Sequence, residues 1–200
     1  MNTLQKSRRT PPILAVAICL GAAGALVPIA GSAPALAAEK AVQPEKNPPG
    51  DIPDTQVFID YTSPQGFTMK VPEGWARSDR ADGANFVDKL DGVVVSVSNV
   101  DAAPTVESAK ANNVPELEKA ERAVKVTAVK AVKLPAGPAV RIVYTSNSEP
   151  NAVTSKQVRL ENERYLYFKD GKLVTLELYA PKGADNVDQW QLMSNSFRWK

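Results

Sequence analysis

Apolar and polar residues alternate over several stretches after position 55, which is the spacing expected of β-strands with one buried face. Val57, Ile59 and Tyr61 would lie on one face of the first strand, which ends at a turn over residues 63–66. The same spacing predicts further strands at residues 67–71, 85–90, 93–97, 123–134, 139–145, 164–168 and 172–180. The pattern therefore indicates a sheet of roughly six to eight strands.

Two Asp-Gly dipeptides lie between alternating stretches and predict tight hairpin turns. They are Asp91-Gly92 and Asp170-Gly171, and both residue types tolerate the positive φ that such turns require. A third turn is predicted over residues 135–138, which read Pro-Ala-Gly-Pro. Hairpin connections of this kind imply that the strands pair mainly in the antiparallel sense.

The hydrophobic period changes at two places from that of a strand to that of a helix. In residues 105–121 apolar residues recur every three to five positions, and Pro115 is expected to divide this stretch into two short helices. The other stretch is 185–197, with Asp185 as the expected N-cap. Its buried stripe is predicted to comprise Val187, Trp190, Ser194 and Phe197. We therefore predict an α+β fold in which a central, mainly antiparallel β-sheet is sandwiched by helices.

The first 38 residues have the layout of an export signal peptide. Positive charges come first, at Lys6, Arg8 and Arg9, and residues 13–31 then carry no charge. Ala35-Leu36-Ala37 supplies the small residues of a cleavage site, so cleavage is expected after Ala37 or Ala38. We expect the protein to be exported to the extracellular space or the cell envelope.

Three other interpretations of this segment remain open. Its 19 uncharged residues are long enough for a retained membrane helix, although their glycines and alanines favour cleavage. Arg8-Arg9 could direct twin-arginine export, but Thr10-Pro11-Pro12 lacks the apolar residues expected just after the pair. Cys19 could carry a lipid, but the large Ile18 precedes it where a small residue is expected.

The rest of the chain is predicted to consist of a tether and one domain. Residues 39–54 contain Pro44, Pro48, Pro49 and Pro53 and few apolar groups, so we expect a proline-rich, disordered tether. Residues 55–200 have the length of a single domain with one hydrophobic core. We expect this domain to be a monomer.

The composition excludes several kinds of active site. The chain has no histidine, and its single cysteine, Cys19, lies in the export segment. A Ser-His-Asp triad, a Cys-His pair and a thiolate zinc site are therefore excluded from the mature protein. The 24 basic and 22 acidic side chains give a net charge of +2, and loss of the three export-segment cations leaves −1. A nearly neutral chain does not favour nucleic-acid binding.

Catalytic combinations that need neither histidine nor cysteine remain to be considered. Acids concentrate in one stretch, at Asp79, Asp82, Asp88 and Asp91. Their spacing is not that of a calcium loop, and turn residues of a surface loop explain them better. Serine and lysine are close together at Ser155-Lys156 and at Ser108 and Lys110, but neither spacing is diagnostic of an active site. We therefore expect no catalytic residues and no enzyme activity.

Two groups of residues are candidates for a binding surface. One is a basic strand face at Lys125, Lys130 and Lys133, with Arg141 and Arg159 near it. A solvated face, or a sheet edge protected by lysine, is the simpler explanation of these residues. The other candidate is a groove lined by Trp75, Tyr165 and Tyr167, although Trp75 closely follows an apolar strand and is better explained as a core residue.

Two segments resemble the PsbP-like family. Residues 61–75 read YTSPQGFTMKVPEGW, which is similar to the opening hairpin of the family. Residues 176–190 read LELYAPKGADNVDQW, and SNSF follows at residues 194–197. The family closes with a strand, an Ala-Pro turn and a final helix of this kind. The resemblance extends over residues 57–200 in the order of elements.

The resemblance implies a central antiparallel sheet between helical layers. It also implies a non-enzymatic, protein-binding function, because the relatives include extrinsic photosystem II proteins, secreted LpqN-type bacterial proteins and Mog-type Ran-binding proteins. Metal binding in the photosynthetic members uses histidines, and this chain has none. We therefore carry over no metal site, no cofactor and no functional residue.

The function that we predict is that of a secreted or cell-envelope binding or accessory protein, acting through protein–protein contacts without catalysis. Its partner would be an envelope protein or a small ligand and not a nucleic acid. It would contact a membrane only through an uncleaved or lipidated export segment. The alternatives are an extrinsic accessory protein of photosystem II and a hydrolase that uses carboxylates or a Ser-Lys pair.

Overall fold

A computed structural model describes residues 39–200 of the chain. The predicted export signal, with Arg8-Arg9, Cys19 and the cleavage positions Ala37 and Ala38, lies outside the described residues and stays a prediction. Over residues 39–200, the structure contains no helix with the length and apolar character needed to cross a membrane.

The described residues form two antiparallel sheets and two helical regions, which is the α+β class that the sequence predicts. The strands are Phe58–Ser63 (β1), Phe67–Pro72 (β2), Ala76–Arg80 (β3), Gly83–Asp88 (β4), Asp91–Asn99 (β5), Arg122–Leu134 (β6), Gly137–Asn147 (β7), Arg159–Lys169 (β8), Lys172–Pro181 (β9) and Arg198–Trp199 (β10). The larger sheet has seven strands in the order β3-β4-β5-β9-β8-β7-β6. The smaller sheet has three, in the order β1-β2-β10.

The seven-stranded sheet consists of two meanders that meet along one pair of strands. β3 to β5 form the first meander and β6 to β9 the second, and each strand pairs with the next in the chain. The meanders join where β5 pairs with β9, a junction that we call the seam. Val93 lies opposite Leu178 in the seam, and Asn99 lies opposite Lys172.

One face of the larger sheet is covered by the smaller sheet and by helix α3 (Val187–Ser196), and we call it the small-sheet face. Its core is rich in aromatic rings. Phe197 is fully buried, with its ring centroid 4.3 Å from that of Tyr167 and 5.2 Å from that of Phe67. Aliphatic strand residues such as Val95 and Leu176 fill the space around these rings. This apolar burial supplies most of the stabilising free energy on this face.

The opposite face, which we call the helix face, is partly covered by one helical segment. The segment comprises α1 (Val106–Ser108), a π-helical stretch (Ala109–Asn113) and α2 (Val114–Ala120). It begins where the Thr105 side chain accepts a hydrogen bond from the Ser108 N–H, a capping contact. Leu117 is fully buried in the cluster that contains Ile142 of β7 and Leu166 of β8.

Pro115 lies in the first turn of α2, as the sequence predicts, because a proline needs no N–H partner there. The two predicted helices are joined by the π-helical stretch rather than by a break. The Asp170-Gly171 turn is also confirmed, with φ angles of 50° and 77°. β3 and the two-residue β10 were missed, since β3 is exposed along its whole length and has no apolar alternation.

The turn between β4 and β5 differs from the prediction. The two residues of the turn are Lys89 and Leu90, and Lys89 has a φ of 53°. Asp91 is the first residue of β5, opposite Asp88, because pairing continues to the last residue of β4. The predicted Asp91-Gly92 turn is therefore wrong by two positions, and Asp91 is buried, at 5% exposure.

Helix α3 begins one residue later than predicted. Its N-cap is Asn186 and not Asp185, and Asn186 makes no side-chain capping bond to the helix. Its carboxamide instead accepts a hydrogen bond from the Ile52 N–H and donates one to the Gly50 carbonyl. Val187, which the predicted stripe buries, is 71% exposed.

Residues 39–54, which we call the strap, have no regular secondary structure but contact the domain near both ends. Ile52 is 4% exposed within the core of the small-sheet face. Gly50 has a φ of +117°, and a Cβ atom there would lie 2.8 Å from Oδ1 of Asp91, so the position favours glycine. Composition alone predicted a disordered tether and none of these contacts. The division of the chain at residue 55 stays a prediction.

Candidate functional site

A partly buried group of polar side chains lies on the helix face beside the end of α2. Glu121 directly follows α2, whereas Tyr144 is in β7, Arg164 in β8 and Glu177 in β9. Arg164 lies directly opposite Glu177 in the β8–β9 pair, so their side chains are on the same face. We call these four residues the polar cluster.

Arg164 connects the two carboxyl groups of the polar cluster. Its Nε donates a hydrogen bond to Oε2 of Glu177 at 2.7 Å, and its Nη2 contacts the same oxygen. Nη2 also donates to Oε1 of Glu121 at 3.1 Å. The Tyr144 hydroxyl lies 2.8 Å from Oε1 of Glu121 and 2.8 Å from Oε1 of Glu177.

The position of the Tyr144 hydroxyl indicates where the polar cluster holds a proton. A hydroxyl group has one hydrogen, so it donates to one carboxylate and not to two. The other short contact is a hydrogen bond only when the second carboxyl group is protonated and donates to the tyrosine oxygen. Glu177 has two contacts with Arg164, whereas Glu121 has a single one, at 3.1 Å. Glu121 is therefore the carboxyl group that holds the proton.

Electrostatics lead to the same assignment. Burial and the neighbouring Glu177 carboxylate raise the pKa of Glu121 from 4.5 to about 7. Burial and the same carboxylate also raise the pKa of Tyr144. Arg164 opposes both increases without cancelling them. The charge of the polar cluster therefore changes close to neutral pH.

A groove with a volume of about 670 Å³ lies beside the polar cluster, between the helical segment and the seam, and we call it the large groove. Its floor carries the hydroxyl groups of Ser96, Ser98 and Thr175, and its helical wall carries Asn112, Asn113 and Glu116. Arg164 and Glu177 of the polar cluster also line it. The volume lies in the range of about 300–1,000 Å³ that is usual for ligand sites.

A second concavity, of about 460 Å³, lies on the other side of the polar cluster. Glu121, Asn147, Asn162 and Tyr179 are among the residues that line it. Glu177 lines both this concavity and the large groove, so the polar cluster separates two open regions of the helix face.

The structure does not bring the five predicted basic residues onto one surface. Lys125 and Lys130 share one face of the edge strand β6, and Lys133 lies on the other. Arg141 contacts Glu163, whereas Arg159 is 4% exposed and is held inside the protein. The exposed lysines are therefore those of a protected sheet edge, the simpler of the two interpretations.

The residues of the predicted aromatic groove lie mostly in the hydrophobic core. Tyr165 and Tyr167 are 5% and 1% exposed, and their rings stack at a centroid distance of 6.1 Å. The Tyr167 hydroxyl donates to the Ser194 carbonyl at 2.9 Å, which ties β8 to α3. Trp75 is half-buried against the same core, as its position after an apolar strand predicts.

The residues considered for catalysis are dispersed. Asp79 is exposed on β3 beside Arg77, so the stretch predicted as a surface loop is a hairpin of β3 and β4. Ser155 and Lys156 are exposed, and the Ser108 hydroxyl donates to the Thr105 carbonyl at the start of α1. Over residues 39–200, no group of three or more acidic residues is placed to hold a metal ion.

Sequence reasoning missed the polar cluster because its members come from four separate elements. One signal was present: Glu177 stands between Leu176 and Leu178 in a strongly apolar strand. A charge in the middle of a sheet buried on both faces needs a partner. That reasoning also requires the strand order, which places β9 between β5 and β8.

Comparison with known proteins identifies the fold. No protein-family model matches the chain, and no curated protein matches it. The solution structure of cyanobacterial PsbP (CyanoP) from Synechocystis sp. PCC 6803 is similar, with a TM-score of 0.51 and 15% identity over 76% of this chain and 98% of that chain. The Ran-binding protein Mog1p of Saccharomyces cerevisiae has a TM-score of 0.48 and 11% identity over 72% of this chain and 96% of that chain.

The chain is thus an α+β protein with a central antiparallel sheet between two covering layers. Its particular fold is the PsbP-like fold, which the structure of CyanoP shares along nearly its whole length. The fold implied by the resemblance of residues 61–75 and 176–190 is confirmed.

Proposed function

We propose that this protein is an exported binding or accessory protein that acts without catalysis and holds its partner in the large groove. The observation that carries the proposal is the groove itself. The helical segment covers β6, β7 and part of β8, and it leaves a concave surface of about 670 Å³ beside β5 and β9. A concave surface of this size has the volume of a ligand-binding site.

The lining of the large groove suits a polar segment of another protein. The hydroxyl groups of Ser98 and Thr175 and the amide of Asn112 both donate and accept hydrogen bonds, as a peptide backbone does. Arg80 and Glu116 add one charge of each sign to the lining. A partner segment with mixed charge and free backbone groups would satisfy these side chains. The PsbP-like fold is compatible with this proposal.

Site-specific photocrosslinking tests the proposed site. A photoreactive phenylalanine derivative is placed at Ser98 or Asn112, exposed positions on the floor and the wall of the large groove. The matched controls carry it at Asp60 or Thr62, exposed positions on β1 of the smaller sheet. In the cells that make the protein, we expect both groove positions to capture the same partner and neither control to do so.

The outcomes of this experiment also separate the alternatives. A photosystem II subunit captured from the groove would favour the photosystem accessory function. Equal capture from the groove and the control positions would contradict the groove as the binding site. Turnover of a defined substrate by the purified protein would contradict a function without catalysis.

A further inference from the structure

The first residues of the strap occupy a polar cleft at the ends of β6 and β7, which we call the strap cleft. The Glu39 carboxylate accepts three hydrogen bonds there. They come from Arg122 Nη1 at 2.7 Å, Asn147 Nδ2 at 2.9 Å and Gln157 Nε2 at 2.6 Å. These donors lower the pKa of Glu39 to about 2. The cleft is thus a site that recognises a carboxylate.

The same cleft also binds the backbone of the strap. Asn147 Nδ2 donates to the Lys40 carbonyl at 2.9 Å, and Asn147 Oδ1 accepts from the Val42 N–H at 3.0 Å. One side-chain amide therefore bonds a carbonyl and the N–H two residues later, as a neighbouring strand would. Such contacts require an extended backbone and no particular side chain at residues 40 and 41, whose side chains are exposed.

The orientation of Asn147 is set before any segment binds. Asn147 is 4% exposed, and its Oδ1 also accepts a hydrogen bond from Arg159 Nη1 at 2.9 Å. Arg159 is itself 4% exposed and donates to the Ala123 carbonyl and to Thr145. Because a guanidinium only donates, it keeps the carbonyl side of the amide in place. A site held in this way costs little ordering entropy when a ligand binds.

Residues 39–42, which occupy the strap cleft, are attached to the domain by only a few contacts. Hydrogen bonds hold the Glu39 carboxylate and the Val42 N–H, whereas residues 43–47 and 49 are exposed. The next firm attachments are at Gly50 and Ile52. Residues 39–42 can therefore leave the cleft while Ile52 stays in the core.

We propose that the strap cleft is a peptide-binding site that takes an extended segment of a partner protein with an acidic residue three positions before a residue that donates its backbone N–H, and that residues 39–42 are its resident ligand. This inference goes beyond the proposed function, because Arg122, Asn147 and Gln157 do not line the large groove. The resident segment competes in cis at an effective concentration of the order of millimolar. A partner must therefore displace it.

The test measures binding of an added peptide to the full chain by fluorescence anisotropy. The probe is an acetylated, fluorescently labelled peptide with the sequence of residues 39–46, EKAVQPEK. The double variant Glu39→Gln and Val42→Pro weakens the resident ligand by removing a carboxylate and an N–H donor. We expect it to bind the probe about tenfold or more tightly than the wild-type chain.

Two altered probes examine the two kinds of recognition. Replacing the glutamate of the peptide by glutamine should weaken binding about tenfold, because charge-assisted bonds are lost. Methylating the nitrogen of the peptide valine should have a similar effect, because it removes the donor to Asn147. Arg122→Gln, added to the double variant at a partly exposed position, should weaken binding of the unaltered probe about tenfold.

Several results would overturn the proposal. One is equal binding of the probe by the double variant and the wild type; another is equal binding of the original and altered probes. Circular dichroism shows whether each variant is folded, and Glu39→Gln alone should give a smaller increase in the same direction. A concentration-dependent dimer of the wild type that Arg122→Gln abolishes would assign the cleft to the strap of a second copy instead. Photocrosslinking in the large groove succeeds or fails independently of these results.

Discussion

The two faces of the seven-stranded sheet are covered in different ways, although the same strands supply both. On the small-sheet face, Phe197 and Tyr167 belong to a closely packed aromatic core beneath a second sheet and α3. On the helix face, the helical segment covers only some of the strands, and Tyr144 places its hydroxyl between two carboxyl groups. Alternate residues of the central strands thus enter an apolar layer and a partly polar one.

The two faces therefore differ in their contribution: the small-sheet face mainly supplies stability, and the helix face supplies the concave surfaces. Apolar contacts on the small-sheet face contribute free energy in proportion to the buried area. The polar cluster on the helix face loses hydration on burial, and its ion pairs do little more than offset that loss. The helix face therefore contributes less to stability, and it has both large concavities beside its charged groups.

The largest predicted effect comes from removing an aromatic ring on the small-sheet face. Phe197→Ala should lower the free energy of unfolding by about 3–5 kcal/mol, because the fully buried ring leaves a cavity against Phe67 and Tyr167. Urea denaturation of the full chain measures this change. Val57→Ala, at a position 56% exposed, is the control and should change it by about 0.5 kcal/mol or less. A smaller loss for Phe197→Ala than for Leu117→Ala on the helix face would contradict the conclusion that the helix face contributes less to stability.

A matched pair of tyrosine substitutions compares the faces directly, with smaller effects. Tyr144→Phe should cost about 1–3 kcal/mol, because two partly buried carboxyl groups lose a partner. Tyr167→Phe should cost about 0.5–1.5 kcal/mol, because only the bond to the Ser194 carbonyl is lost. The same urea experiment measures both. Equal losses would indicate that the Tyr144 hydroxyl, with its two carboxyl partners, contributes no more to the free energy of unfolding than the single neutral hydrogen bond of Tyr167.

The last predicted effect is a dependence of stability on pH that both faces share. Burial, with Asp88 and Asp51 nearby, raises the pKa of Asp91 from 3.8 to about 7. The folded protein therefore holds this proton more tightly than the unfolded chain does. The stability that this provides is complete below about pH 4 and is lost as the pH rises towards 7. The pKa of Glu121 on the helix face is raised too, so it acts in the same direction.

Neutral substitutions measure that dependence. Asp91→Asn and Glu121→Gln should leave stability nearly unchanged at pH 4 and should each raise it, relative to wild type, by at most about 3 kcal/mol at pH 7.5. Thermal unfolding across this range is the measurement, and the acidic end serves as the internal control. A variant whose difference from wild type is the same at both pH values would contradict the raised pKa of that residue.

Sequence patterns predicted the strands and helices better than the way in which they assemble. The alternation at Phe67, Met69 and Val71 identified β2, and the Asp170-Gly171 turn was located correctly, because local spacing and turn chemistry determine both. The pairing of β5 with β9 joins distant parts of the chain, and no local pattern specifies it. The polar cluster depends on that order and was therefore not predicted.

The strap shows a second reason why prediction from composition is incomplete. Its prolines and charges are typical of a disordered segment. A buried apolar residue, Ile52, and a buried amide near each end, Asn147 and Asn186, nevertheless help to hold it against the domain. These amides lie far from the strap in sequence, so the sequence of the strap alone does not indicate where it binds.

The seam between β5 and β9 has a consequence for how the chain folds. Each meander can form from hairpins that are close in sequence, whereas the seam pairs residues roughly 70–90 positions apart. We therefore expect closure of the seam to be the slow step of folding. Until it occurs, the inner edges of β5 and β9 have unpaired backbone groups next to valines and leucines. The half-assembled sheet is consequently the species most prone to aggregate, and substitutions in the seam should decide the yield of soluble protein.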